Sequence, residues 1–443
     1  MQTSVETLGQ LERRLDVAIP LTDIEGEVEK RLARMAKTAK VPGFRPGKVP
    51  LKMMAQQYGP QLRSEVISDR VQERFNDAVR DQNLRVAGQP RIEAKPRTEA
   101  VPADALEFQA TFEVYPDVKL GDLSTVTIER PEVSVTAADI DRTLDKLRLQ
   151  RATWNAVTRG AEAGDRAVVD FTGTIDGVEF AGGKAQDFTL GVGEGRMLPE
   201  FETAVAGMKT GETREFPLTF PADYHGKEVA GKNALFTLTV KAVEAPVLPP
   251  LDDDFAAAFG VSTGKLADLR GEVEANLMLE LKRKVEQLVK EQALRGLRSK
   301  AEFAVPASLV DMEAMNMLQR TAQNLIQQGV KRDDIRLTLD AFRSQATERV
   351  TLGLLLSELI SEHGLAATRE QVRSRIAEAA QTYEQPEAVV RWHYEKPERL
   401  AEFEAAAAEQ NVVDWVLSKA KVVPTPIAFD AVMNSAPGTG FNR

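Results

Sequence analysis

The chain has 443 residues, 43% of them hydrophobic, a formal net charge of -10 and no cysteine. That length supports several hydrophobic cores, about two to four domains, rather than one small module. The missing cysteines exclude disulfides, thiolate nucleophiles and thiolate metal sites. His225, His363 and His393 are the only histidines and lie far apart, which argues against a zinc site or a His-based triad. The first residues lack an apolar leader core, and no run reaches the roughly 18 apolar residues of a membrane span, so the expected location is cytoplasmic with no membrane partner.

In chain order, Leu15, Val17 and Ile19 alternate with other residues and predict a half-buried strand, as do Leu106, Phe108, Ala110, Phe112 and Val114. Between them, Thr22 with Glu25 reads as a capping box opening a helix with Ile24, Val28, Leu32 and Met35 on one face. Leu62, Val66, Val71, Phe75 and Val79 mark a second helix. The segment joining the two helices runs Val41-Pro42-Gly43-Phe44-Arg45-Pro46-Gly47-Lys48-Val49-Pro50. Three prolines fix φ and two glycines permit sharp turning, so neither helix nor strand continues through it and Phe44 is predicted to stand at a stiffened tip. From Lys30 to Arg63 there are nine Lys or Arg and no Asp or Glu. A cationic patch on an acidic chain suits a polyanion such as RNA; a solvated helix end with a structural turn is the alternative. Pro116 closes this region, and residues 116–150 read as a linker carrying a helix from about Ala137 with Ile140, Leu144 and Leu147 on one stripe.

From about Arg151 the texture changes to alternating aromatics and glycines. Val169, Phe171, Gly173 and Ile175 lead into Asp176-Gly177, a hairpin signal, and strands are predicted around Phe180, Phe188 to Leu190, Phe216 to Phe220 and Phe236 to Val240. One short helix starts at Pro199, turns Phe201 and Val205 inward and stops at Gly207. A curved antiparallel sheet around one helix follows. The glycines at 191, 193 and 195 lack a dinucleotide fingerprint and read as turns.

Pro246, Pro249 and Pro250 open a third region that is helical throughout. Leu269, Val273, Leu277, Leu281, Val285 and Leu288 form one stripe, and Val350, Leu354 and Glu358 another, with Leu355 and Leu359 beside it. Met312, Met315 and Met317 cluster with Leu309, Val310 and Leu318, more apolar surface than a helical seam needs. Methionine adapts to varied partners, so this cluster is a candidate polypeptide-binding surface, with helix packing as the alternative. Residues 425–443 read as a disordered tail.

The string Gly43-Phe44-Arg45-x-Gly47-Lys48-x-Pro50 resembles the ribosome-docking signature of the bacterial trigger factor family, with Pro46 where many relatives carry a basic residue. The likeness runs from Met1 to about Val423. Asp170-Phe171-Thr172-Gly173, Phe180-Ala181-Gly182-Gly183, Phe188-Thr189-Leu190-Gly191, Met197-Leu198-Pro199-Glu200-Phe201-Glu202 and Phe220-Pro221-Ala222-Asp223-Tyr224 resemble FKBP-type peptidyl-prolyl isomerases. This resemblance implies a proline pocket lined by Phe171, Phe180, Phe188, Met197, Leu198, Phe201, Tyr224 and Phe236. Ala181, Glu200 and Phe201 depart from the stand-alone isomerases.

The expectation is therefore a multidomain α+β protein: an α+β docking domain at 1–115, a linker at 116–150, an FKBP-like domain at 151–245 and an all-α chaperone domain at 246–424. It is expected to shield nascent and unfolded polypeptides without ATP or another cofactor and to isomerise X-Pro bonds. Docking near the ribosomal exit tunnel, through protein and RNA, is assigned to Gly43, Phe44, Arg45, Gly47 and Lys48, client contact to Met312, Met315 and Met317. Self-association into a homodimer is expected off the ribosome. A soluble isomerase without docking and an RNA-binding regulator using the basic patch are the alternatives.

Overall fold

The structure is a computed structural model and describes residues 5–38, 49–95, 105–221, 224, 226, 228–381, 383 and 385–435. It opens with β1 (Val5–Thr7), β2 (Glu12–Pro20), α1 (Leu21–Thr38), α2 (Leu51–Asp81), β3 (Val86–Ala94) and β4 (Ala105–Val114). Next come β5 (Thr127–Glu132), α3 (Ala137–Gln150), β6 (Thr153–Ala156), β7 (Arg166–Ile175), β8 (Val178–Gly191), α4 (Pro199–Val205), β9 (Thr213–Thr219) and β10 (Asn233–Val247). The remainder is α5 (Asp253–Ala258), α6 (Leu266–Ser299), α7 (Ala307–Gln327), α8 (Asp340–His363), α9 (Arg369–Ala380), α10 (Pro386–Tyr394), α11 (Ala401–Lys419), β11 (Lys421–Pro426) and α12 (Phe429–Met433). The multidomain α+β class with antiparallel sheets and a helical C-terminal region is as expected. Contacts group the chain into two compact units, Met1–Arg130 with Gln287–Thr425, and Pro131–Glu286 with Pro426–Arg443.

In the first unit, β1, β2, β4 and β3 form an antiparallel sheet in that order. Leu15, Val17 and Ile19 share one face by the two-residue repeat and are buried against Ile24, Val28 and Leu32 of α1 and Leu62, Val66 and Phe75 of α2. Phe75 meets Phe112 edge-on at 5.1 Å. Helix α1 begins at Leu21, directly after β2, so Thr22 lies inside the first turn and does not cap it. Strand β3 escapes the sequence pattern because Gly88, at φ 76°, and Pro90 break the alternation and shift the register between Ala87 and Arg91. The Phe44 tip, residues 39–48, lies outside the described residues.

This sheet is tied to the helices of the same unit. Both oxygens of Glu113 accept backbone amides at the start of α7, from Ala307 at 3.0 Å and Ser308 at 2.7 Å. A carboxylate there satisfies orphan donors and meets the positive end of the helix dipole. Segment 116–130 is not a free linker: Leu120 bridges Ala301, and the Gln292 side chain both accepts from and donates to the Glu129 backbone, at 2.9 and 2.8 Å. On α8 the buried stripe is Thr351, Leu355 and Leu359, one position on from the expected Val350, Leu354 and Glu358.

In the second unit, β7 to β10 with β6 form a five-stranded antiparallel sheet in which β10 pairs β7 on one edge and β9 then β6 on the other. A separate helical core joins Ile140 and Leu144 of α3 to Phe255, Leu269, Val273 and Leu277. Thr136 and Asp139 form a capping box ahead of α3. Residues 131–150 are therefore built into a core, which corrects the linker expectation. The tail is corrected too: β11 pairs β5, Phe429 packs on the helical core, Val432 is fully buried, and Lys284 Nζ donates to the Ser435 carbonyl at 2.8 Å. Apolar residues at 429 and 432 anchor α12; residues 436–443 lie outside the described residues.

Candidate active site

The middle sheet builds one apolar pocket of about 530 Å³. Its construction starts at the β7–β8 hairpin, where Asp176 at φ 52° and Gly177 at φ 80° make a two-residue turn that matches strand twist and sets Ile175 opposite Val178. That register turns Phe171 inward from β7 and Phe180 from the start of β8. Helix α4 starts on Pro199 and buries Phe201, Ala204 and Val205 against the sheet. Met197 and Leu198 lead into it, and the Glu202 carboxylate accepts the Met197 amide at 3.2 Å, holding that turn against the helix. From β10, Phe236 sits at the centre of the aromatic set: its ring lies 5.8 Å from Phe201, 6.0 Å from Phe171, 6.1 Å from Phe180 and 6.4 Å from Phe220. Edge and tilted ring contacts of this kind contribute about 0.5–1.5 kcal/mol each beyond area burial, so the wall is stiff.

Phe171, Phe180, Met197, Leu198, Phe201, Tyr224 and Phe236 all line the pocket. Phe188 does not. It packs edge-on behind Phe171 at 5.6 Å and supports the wall from outside. Leu218, Phe220 and Val229 line it as well and are not among the residues the resemblance implied; the two-residue alternation of Phe216, Leu218 and Phe220 is the signal for the first two, and Val229 has none. Tyr224 stacks obliquely on Phe220 at 4.8 Å. Among the described lining residues Arg196 alone is charged; its side chain is 82% exposed and pairs with Glu194 at 3.1 Å. The pocket can thus strip water from a neutral, compact group and has no nucleophile or acid–base pair at its floor. No cluster of metal-ligating side chains occurs among the described residues.

Directly before β7, Asp165 is buried and accepts two bonds from Arg159, at 2.5 and 2.9 Å, and the Glu162 amide at 2.8 Å. The Arg159 bonds, with the Glu162 amide and the nearby positive charge, hold its carboxyl below the usual range against burial, which acts upward. A depressed folded pKa contributes stability that is complete above the unfolded value of about 3.9 and is lost as pH falls through the folded value. Asp165→Asn is accordingly expected to lower stability by about 1–3 kcal/mol at neutral pH, because buried donors lose a charged acceptor. Thermal unfolding at pH 7 and pH 3 checks this: the deficit should shrink at pH 3, and a deficit equal at both would reject the charge-based account.

The methionines divide. On α7, Met312 and Met315 are 53% and 45% exposed, whereas Met317 is buried with Val310, Ala314 and Ala346. Met317 therefore belongs to helix packing and not to an exposed surface, because the 3.6-residue period turns it to the side of Val310 and Ala314. Met312 also edges a cavity of about 290 Å³ with Tyr115, Val118, Leu309, Val350 and Leu354. A feature without a sequence signal is α10, which buries no residue and exposes Trp392 and Tyr394.

Comparisons with known proteins agree with this geometry. Residues 1–147 match the family model described as bacterial trigger factor protein, residues 265–418 the one for its C-terminus, and residues 157–241 that of FKBP-type peptidyl-prolyl cis-trans isomerase. A trigger factor from Aromatoleum aromaticum is 50% identical over 98% of this chain and 100% of its own length, and one from Nitrosospira multiformis 49% over 98% and 99%. A solved chain from work on promiscuous substrate recognition by the trigger factor chaperone covers 94% of this chain and 99% of its own, at 18% identity and a TM-score of 0.46. With two relatives near half identity over nearly the whole chain, and an aromatic pocket inside the segment matched as an isomerase, the chain belongs to the trigger factor family of chaperones and carries an FKBP-type peptidyl-prolyl isomerase domain.

Proposed function

We propose that the protein meets polypeptides at the ribosomal exit tunnel, holds them on exposed apolar surface of its C-terminal helices, and turns their X-Pro bonds in the aromatic pocket. The observation that carries the catalytic part is a wall of aromatic rings with a single exposed charge at its rim. An X-Pro bond resists rotation by about 18–20 kcal/mol because resonance keeps the amide planar and polar. Removing water from the imide disfavours that polar planar form relative to the twisted one, so an apolar enclosure lowers the barrier without covalent chemistry. Phe171, Phe201 and Phe236 form the floor, Met197, Leu198 and Phe180 the sides, and the Tyr224 hydroxyl is the donor assigned to the substrate carbonyl.

Holding is assigned to residues 246–424, with Met312 and Met315 as client contacts, supported by their exposure beside an apolar cavity. The same surface serves self-association off the ribosome, so dimer and client compete for it. The sequence has no Walker-type phosphate loop, and release is assigned to the weakness of each contact, in the cytoplasm and without nucleotide. Docking is assigned to residues 1–115 through Gly43, Phe44, Arg45, Gly47 and Lys48, supported by the nine Lys or Arg from Lys30 to Arg63 with no Asp or Glu among them. Phe44→Ala with Arg45→Ala is expected to remove most ribosome co-sedimentation while peptide isomerisation continues, and raised salt should act in the same direction. Undiminished co-sedimentation of the double variant refutes the docking assignment.

A further inference from the structure

Helices α9 and α10 enclose a groove of about 480 Å³ lined by Arg373, Ala377, Pro386, Glu387, Val390 and Arg391. Arg373 and Ala377 share one face of α9 by four-residue spacing, while the buried face of that helix is Val372, Ile376 and Ala380. On α10 no residue is buried, and Trp392 and Tyr394 leave 49% and 44% of their surface exposed. Arg399, which follows α10, is engaged: it pairs with Glu395 and covers the Trp392 ring at 3.7 Å. Among the described residues neither Arg373 nor Arg391 has an ion pair or side-chain hydrogen bond, although Glu387 lines the same groove.

We propose that this groove is a client subsite selective for polypeptide segments with an Asp or Glu next to an aliphatic or aromatic residue. The proposal rests on the client-holding reading above and adds its selectivity. Two guanidinium forks converging on one groove match a carboxylate, which each can bind through paired N–H donors. The walls between them are apolar, from Ala377, Pro386 and Val390, and accept a side chain flanking the carboxylate. A nucleic acid is the poorer occupant, because Glu387 stands in the groove and Glu395 and Glu398 follow α10, repelling a run of phosphates. In a chain of net charge -10, such a local site also widens the range of clients beyond the basic ones that the overall charge attracts.

The test uses the full chain and two fluorescein-labelled unfolded peptides, identical except for one Glu or Gln beside a Leu-Phe pair, read by anisotropy. At low salt the Glu peptide is expected to bind about fivefold more tightly, a preference that fades as salt screens the exposed pair. Arg373→Gln with Arg391→Gln should erase the difference and leave Gln-peptide binding and isomerase activity unchanged. Equal binding of both peptides by the unmodified chain, or a preference that survives in the double variant, overturns the subsite alone. Binding of neither peptide, together with failure to keep an unfolded protein from aggregating, overturns the holding reading and the subsite with it. An RNA oligonucleotide that binds more tightly than the Glu peptide, and is lost in the same double variant, overturns the choice of occupant.

Discussion

Gly173→Val is expected to lower isomerase kcat/KM on a proline tetrapeptide by about a hundredfold, the scale of a misplacement near 1 Å at a reacting centre. Gly173 lies on β7 directly opposite Phe236 on β10. A Cβ at position 173 would stand 2.6 Å from two ring carbons of Phe236, a distance that real Cβ contacts do not show. Its φ is not in the left-handed region, so backbone strain does not explain the glycine; the space for the ring does. Phe236 touches Phe171, Phe180, Phe201, Phe216 and Phe220, and a shift of this ring moves every wall of the pocket. Overpacking of this kind costs about 1–3 kcal/mol of stability, which leaves a domain of this size folded. Gly173→Ala with Phe236→Leu should recover stability relative to Gly173→Ala alone, a non-additivity expected of residues in contact. Unaltered kcat/KM in a folded Gly173→Val protein would show that the pocket tolerates the displaced ring and would remove Phe236 from its proposed role.

The second large effect is a separation of activities. A fragment of residues 151–247 is expected to keep most isomerase activity on short peptides and to lose all protection of an unfolded protein against aggregation. Every buried residue of the pocket core, from Ala161 to Val243, lies inside that range, and so do all five strands of the sheet. The fragment therefore carries a complete core of its own. A simple truncation after residue 250 is a poorer dissection, since it removes Phe255, Leu269, Val273 and Leu277 and uncovers Ile140 and Leu144 of α3. Light scattering with a denatured client, read beside tetrapeptide isomerisation, decides the outcome. Protection by the fragment equal to that of the full chain would move client holding from the helices to the pocket.

The elements visible in the sequence are those whose cause is local. The β2 strand shows in Leu15, Val17 and Ile19, the β7–β8 hairpin in Asp176-Gly177, and α3 in Ile140, Leu144 and Leu147, because period and turn chemistry act over a few residues. Most of the pocket was legible for the same reason: Phe171, Phe201 and Phe236 sit at inward positions of a strand, a helix and a strand, and the family resemblance named their use. What the sequence left open depends on partners distant along the chain. Phe188 and Phe220 are alike in their strand patterns, yet Phe220 lines the cavity and Phe188 backs Phe171, since only the closed sheet decides which ring meets the opening. Met317 joins Ala346 in a core while Met312 and Met315 remain outside, a distinction made by the approach of α8 to α7.

Composition and spacing by themselves determined the class of fold, the absence of thiol chemistry, the aromatic character of the middle domain and the cationic run around Phe44. The tertiary structure alone decided that residues 116–150 and 425–435 are built into packed structure, that β3 completes the first sheet across a glycine bulge, and that the long C-terminal helical stretch is shared between two compact units. The physical reason is one of range: propensity and periodicity describe what a segment exposes to a partner, and burial is a property of the pair, which forms only when residues such as Leu144 and Phe255 or Glu113 and Ser308 are brought together across a hundred or more positions.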